Sequence, residues 1–324
     1  MRLLAIAGLT GLLSMTLTAP AQATGTPELW FTGFFEAHIS IESGDVDGDG
    51  DDDLVSFNNY QFGNRVVRST GSSFSPQEHW GNVNSVDPSV VGTTRLVGDM
   101  DGDGRDDVVL VRRVQPRGIW VGLARTNQYG VDGFQYYANW LNNTIAGDYG
   151  NLGADLDADG DMDVVGLFGG GIPTLAARSN VTASLPLVAW GPEARGQQAT
   201  LAADTTGDGA ADLILVDTTG VRVIPAGPRW FENPAQQWST IPFHGTEKTL
   251  TADIDADGDA DLIAVDDTDV RVMRSNGTGY DTPEVWYSGA FSGTKATLAA
   301  DVDGDADADL VAVNSGEIWV LRTQ

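Results

Sequence analysis

A nine-residue loop rich in aspartate occurs six times, and it limits the fold more tightly than any other feature of the chain. The copies read DVDGDGDDD (45–53), DMDGDGRDD (99–107), DLDADGDMD (155–163), DTTGDGAAD (204–212), DIDADGDAD (253–261) and DVDGDADAD (301–309). Their first aspartates lie 54, 56, 49, 49 and 48 residues apart, a register that a chance acidic run would not hold. Carboxylates stand at loop positions 1, 3, 5 and 9. In order, these are Asp45, Asp47, Asp49 and Asp53; Asp99, Asp101, Asp103 and Asp107; Asp155, Asp157, Asp159 and Asp163. They continue as Asp204, Asp208 and Asp212, with Thr206 at the third position; Asp253, Asp255, Asp257 and Asp261; and Asp301, Asp303, Asp305 and Asp309.

Carboxylates crowded into one tight loop do not all stay ionised without a cation. An all-oxygen donor set suits a hard ion of flexible geometry, Ca²⁺ before Mg²⁺ and well before Zn²⁺. Up to six Ca²⁺ are therefore expected. The glycine at position 6 supplies the sharp turn, since only glycine takes positive φ at no steric cost. Two copies depart from the pattern: Thr206 leaves the fourth loop one carboxylate short, and Ala306 replaces the turn glycine of the sixth. Both loops, 204–212 and 301–309, are expected to bind more weakly. Position 2 is mostly apolar (Val46, Met100, Leu156, Thr205, Ile254, Val302), which predicts that one side of each loop is tucked into a core. These are not EF-hands, which need a bidentate Glu at position 12 and flanking helices. Position 12 is Ser56, Leu110, Gly166, Leu215, Ala264 or Ala312, and each loop runs into a short apolar β-type stretch such as LVSF or LILV.

Tryptophan keeps the same period. Trp30, Trp80, Trp140, Trp190, Trp238 and Trp286 precede the first loop aspartate by 14 to 19 residues. Two markers with a period of about 50 residues, and four β-type segments in each period, predict an all-β, six-bladed β-propeller. The last repeat stops after three segments (296–302, 309–313, 317–324), while an unmatched one, PELWFT (27–32), stands near the N-terminus. The N-terminal segment is thus expected to complete the final blade, leaving no open edge. The longer stretch 112–151 predicts larger loops in the second and third blades.

The first 23 residues read as a secretory leader, with Arg2, an apolar core and an Ala21-Gln22-Ala23 cleavage site. The mature chain is expected to begin at Thr24, to form one propeller domain over 24–324 and to be extracellular. No later apolar run is long enough to span a bilayer. There are no cysteines, so stability must come from the core and from metal. The net charge of −28 makes nucleic acid an unsuitable partner. Half of the 46 acidic residues sit at the 23 loop aspartates, so the charge chiefly reflects metal binding.

The loop, its β context and the blade length resemble the FG-GAP/VCBS repeat family, which includes the calcium-binding propeller of integrin α chains, bacterial secreted proteins and some lectins. The resemblance implies calcium ligands at positions 1, 3, 5 and 9 and a main-chain carbonyl at position 7, here Asp51, Arg105, Asp161, Ala210, Asp259 and Asp307. It implies that the ion pins the turn between a blade's two inner strands. The family's Phe-Gly and Gly-Ala-Pro tags are not evident here, and many members have seven blades.

Catalytic signatures are scarce: no Cys nucleophile, no H-E-x-x-H and no G-x-S-x-G. The three histidines, His38, His79 and His244, fall at unrelated positions of the repeat. The best functional expectation is a non-catalytic, lectin-like module for an extracellular glycan. An integrin-like module for a cell-surface protein is the alternative, and a polysaccharide lyase or hydrolase a third. Three repeats share W-x₄-F: Trp30/Phe35, Trp238/Phe243 and Trp286/Phe291. These aromatics either wedge between blades or offer rings on which a sugar stacks. Their segment is predicted to lie on the face opposite the aspartate loops.

Overall fold

The computed structural model describes residues 25–323 except 36, 60–62, 82–86, 143–144, 180–186, 228–230 and 232–233. The expected leader lies outside the described residues. No helix among the described residues is long and apolar enough to cross a membrane.

Six antiparallel sheets of four strands each form a six-bladed propeller. The first blade comprises Ser40–Gly44, Asp53–Phe57, Asn64–Val67 and Glu78–Gly81. The second comprises Thr93–Gly98, Asp107–Arg112, Gly118–Gly122 and Ala138–Leu141. The third is Gly150–Ala154, Asp163–Leu167, Thr174–Ala177 and Val188–Gly191. The fourth is Ala199–Ala203, Asp212–Asp217, Gly220–Ile224 and Gln236–Ser239. Lys248–Ala252, Asp261–Val265, Val270–Met273 and Glu284–Tyr287 make the fifth. The sixth takes Ala296–Ala300, Asp309–Val313 and Glu317–Leu321 from the C-terminus, and its outer strand, Glu28–Thr32, from the N-terminus. This is the closure expected from the unmatched segment, and the six inner strands contact one another in a closed ring.

Every second strand is buried along its whole length. That is why the stretch after each loop reads as a continuous apolar run rather than an alternating one. Between neighbouring blades lie six separate apolar cores, each holding one of the periodic tryptophans. In all six blades the outer strand slips its register against the third strand, and the residue left unpaired is the tryptophan: Trp30, Trp80, Trp140, Trp190, Trp238 or Trp286. A bulge of this kind bends the strand and re-aims one side chain. Here it marks the residue that wedges against the next blade. An aromatic from that next blade completes the contact, as Phe74 does for Trp30 (ring centroids 5.7 Å apart), Phe134 for Trp80 (5.3 Å) and Tyr280 for Trp238 (5.4 Å).

The extra length after residue 112 forms a two-stranded hairpin, Ala124–Thr126 with Asp132–Phe134, between the third and outer strands of the second blade. The insertion is thus a feature of the second blade, and the third keeps the four-strand plan.

Candidate metal loops and the opposite face

Each aspartate loop joins the inner strand of a blade to its second strand, so all six open on one end of the propeller. The position-1 aspartate ties the loop to itself. Asp45 Oδ1 accepts from the Gly48 amide at 2.7 Å and Oδ2 from the Gly50 amide at 2.9 Å, and the other five loops repeat the second bond. The turn at position 6 is left-handed as expected, from Gly104 (φ 81°) to Gly50 (φ 97°), with Ala306 forced to the same region at 75°. Position 4 is left-handed too, and there Ala158 and Ala256 replace glycine at 57° and 50°.

All six position-2 side chains are buried, the five apolar ones as their character predicted and Thr205 with them. The position-9 aspartates, Asp53, Asp107, Asp163, Asp212, Asp261 and Asp309, are buried at the start of the second strands. Each Oδ1 accepts a main-chain amide from the segment following the third strand: Ser69, Ala124, Ser179, Ala226, Ser275 and Thr323, at 2.6–2.9 Å. One carboxylate therefore fastens the loop to two other parts of its blade. Burial pushes Asp53 up to about 9, and Asp107, Asp163, Asp261 and Asp309 up to about 8. A bound divalent cation would reverse that shift.

The loops also fasten the blades to one another. The amide at position 8 donates to the position-1 carbonyl of the preceding blade: Asp52 to Asp301, Asp106 to Asp45, Met162 to Asp99, Ala211 to Asp155, Ala260 to Asp204 and Ala308 to Asp253. These six bonds, 2.5–2.8 Å long, close a circle around the propeller axis.

An arginine meets the position-3 aspartate in five blades. Arg68 pairs with Asp47 (3.0 Å), Arg274 with Asp255 (2.9 Å) and Arg322 with Asp303 (3.2 Å). Arg178 pairs with Asp157, and Arg125, from the inserted hairpin, with Asp101 and Asp103. In all five the arginine takes Oδ2, while Oδ1 is buried with no hydrogen-bond partner. A buried carboxylate oxygen without a donor is costly. These five orphaned atoms are the observation that fits a cation. Oxygens of positions 1, 3 and 9 converge within 4.8 Å in the loops of Asp45, Asp99, Asp155 and Asp253, and those of Asp301, Asp303 and Asp305 do so in the sixth. The position-5 aspartates Asp49, Asp103, Asp159 and Asp257 are outside these trios. They are exposed on the loop surface, where all four accept the position-7 amide of their own loop. At position 7, the Asp51, Asp161 and Asp259 carboxylates lie over Gly304, Gly102 and Gly207 of the preceding loops, where a Cβ would fall within 2.4–2.6 Å of them. Arg105 reaches back to the Val46 carbonyl (3.1 Å), Ala210 is buried, and Asp307 is half-buried. The sequence pattern missed the arginines, although an Arg-Ser or Arg-Thr pair follows the third strand in four repeats (Arg68, Arg178, Arg274, Arg322).

The aromatic pairs resolve in favour of wedges. Trp30, Phe35, Trp238, Phe243, Trp286 and Phe291 are all buried, none more than 8% exposed, so none offers a ring face on which a sugar could stack. Of the two readings the sequence left open, the sugar-stacking platform at these six residues is corrected on that ground. The W-x₄-F spacing places both residues in the apolar seam between blades, with the Trp turned inward by its bulge. Among the described residues the aromatics most open to solvent are others: Phe34 and Tyr149 where blades meet on the face opposite the loops, and Tyr129 and Tyr136 on and just after the inserted hairpin.

The geometry defines a six-bladed propeller whose blades are stapled by aspartate loops. Residues 45–110 and 253–312 match the FG-GAP-like repeat, and the chain carries repeats of that family in both segments. No curated protein sequence matches the chain. Among solved structures, a lectin of Agrocybe aegerita described as recognising non-reducing terminal N-acetylglucosamine is similar over 93% of this chain and 91% of its own, at 20% identity and a TM-score of 0.61. Part of the Photorhabdus luminescens Tc holotoxin pore is similar over 92% of this chain but 14% of its own, at 18% identity and a TM-score of 0.61. At these identities the shared property is the fold.

Proposed function

We propose that the protein is a secreted, calcium-binding propeller that acts as a non-catalytic binding module for extracellular carbohydrate. The calcium is structural. It satisfies the orphaned aspartate oxygens, neutralises the buried position-9 carboxylates and stabilises the fold by binding only the folded chain.

The observation that carries the carbohydrate reading is a pocket of about 460 Å³ on the face opposite the loops, where the sixth blade meets the first. Phe34, 72% exposed, lies on its wall with Ala37, and His38, Lys295 and Ser315 line it beside them. An exposed aromatic ring suits the apolar face of a pyranose, and flanking polar groups suit its hydroxyls. The lectin that shares the fold along nearly its whole length supports the same reading, as an analogy of fold. The test is a glycan array probed with Thr24–Gln324 in millimolar calcium and again after its removal, with circular dichroism on both samples. A hit that Phe34→Ala weakens at least tenfold, with an unchanged spectrum, is expected. A folded, calcium-loaded protein that binds no glycan would overturn the reading.

A protein partner is the second reading. Tyr129, Val131 and Tyr136, which are 80%, 59% and 69% exposed, sit on and beside the inserted hairpin that breaks the repeat. A large apolar group exposed at an irregular loop favours recognition of a cell-surface protein there.

A further inference from the structure

The fourth loop differs from the other five by a set of changes that belong together. Thr206 stands where they have the position-3 aspartate. The arginine that would meet it is also gone: Pro225 follows the third strand where the first, third, fifth and sixth blades have Arg68, Arg178, Arg274 and Arg322. Position 2 is Thr205, the one hydroxyl among apolar residues at that position.

Each change removes a reason for a cation. The Thr206 hydroxyl is turned to Asp204 Oδ1 (3.4 Å), so no buried oxygen is left orphaned at position 3. The Thr205 hydroxyl donates to Asp212 Oδ2 at 2.6 Å, beside the Thr205 amide at 3.0 Å, while Asp212 Oδ1 keeps the Ala226 amide at 2.7 Å. Asp212 thus has three donors. In the first three loops the same Oδ2 has only the position-2 amide, at 3.1–3.3 Å. In the fifth and sixth it is buried with no donor. Among the described residues, convergent trios of carboxylates occur in the other five loops but not at Asp204, Asp208 and Asp212. Hydrogen bonds to an ionised carboxylate stabilise its charge as a cation would.

We propose that the loop of the fourth blade takes no calcium and is held by this hydrogen-bond set instead, so that the protein binds five ions. The sixth loop is different in kind: Ala306 alters only its backbone, and it keeps the Asp303–Arg322 pair and three orphaned oxygens, on Asp303, Asp307 and Asp309. It remains a calcium site.

This inference rests on the calcium reading above, and counting bound ions by native mass spectrometry separates the two. Five ions are expected in the natural chain, four in Asp157→Asn and six in the double variant Thr206→Asp/Pro225→Arg. Six ions in the natural chain, or five in both it and a folded double variant, would overturn the assignment. No bound ion in any variant would overturn the calcium reading itself, and the contrast with it. Thr205→Val supplies an independent measurement. Its loss of a hydrogen bond to a buried carboxylate is expected to lower Tm by about 2–4 °C, equally with and without calcium. A deficit that calcium abolishes would show that an ion holds the loop.

Discussion

The two faces of the propeller obey different rules. On the face that carries the aspartate loops, the same atoms recur from blade to blade: a position-1 carboxylate folding its own loop, a buried position-9 carboxylate, and an amide donating to the preceding blade. On the opposite face the turns that enter the inner strands repeat as well, with Gly147, Gly196, Gly245 and Gly293 each donating an amide to the side chain four residues on, but the exposed side chains around them do not. The pockets of that face differ in lining, from Phe34, His38 and Lys295 at the junction of the sixth and first blades to Tyr149, Arg195 and Gln197 at that of the third and fourth. The contrast teaches where constraint lies. A ring closes only if every joint has the same geometry, so the joints must match. The side chains exposed on the opposite face carry no such condition and are free to differ, which is what recognition of a particular ligand requires.

Removing calcium should strike the repeating face hardest. With free ion at ten times Kd, each site adds about 1.4 kcal/mol, so five sites together are worth about 7 kcal/mol, and Tm by differential scanning calorimetry should fall by more than 10 °C. The pH dependence should invert at the same time. Burial raises Asp53 to about 9 and Asp107, Asp163, Asp261 and Asp309 to about 8 in the folded chain, above the unfolded value. Stability from these groups is therefore fully present below the unfolded value and lost as pH rises through 8–9. Without calcium, Tm should fall between pH 5 and pH 9. With calcium, protons compete with the ion for the same oxygens, and Tm should rise over that range. Equal slopes would mean that the loops hold no cation.

A core tryptophan should matter less than the whole metal set, and independently of it. Trp238→Ala removes the wedge between the fourth and fifth blades, with an expected cost of about 3–5 kcal/mol that is the same with and without calcium. The smallest effect belongs to Ala306→Gly, which relieves a left-handed alanine at φ 75°. Against the extra chain entropy of glycine, the net gain should be about 0.5–1 kcal/mol, read as a Tm rise of 1–3 °C. A loss there would show that the Ala306 methyl makes a contact that outweighs its strain.

Much of this was legible in the chain because the repeat is written twice, in the aspartates and in the tryptophans. Even the N-terminal closure followed, since one segment was missing at the end and one was spare at the start. Some signals were present and went unread. Phe74, Phe134 and Tyr280 each precede a periodic tryptophan by six residues, and the arginine after the third strand recurs in four repeats. They are hard to recognise because each makes its contact with a residue distant in sequence: Phe74 with Trp30 of another blade, and Arg322 with Asp303 across its sheet.

The sequence by itself determined the number of blades, the position of each loop and the burial of each apolar position-2 side chain, because local turn chemistry and periodicity are properties of short stretches. It left open whether Trp30, Trp238 and Trp286 are ligands or wedges, whether Pro225 matters, and where an exposed aromatic meets a pocket. Those answers depend on which residues of one blade face the next. Only the closed ring decides that, because it brings Asp52 against Asp301 and Lys295 beside Phe34 from opposite ends of the chain.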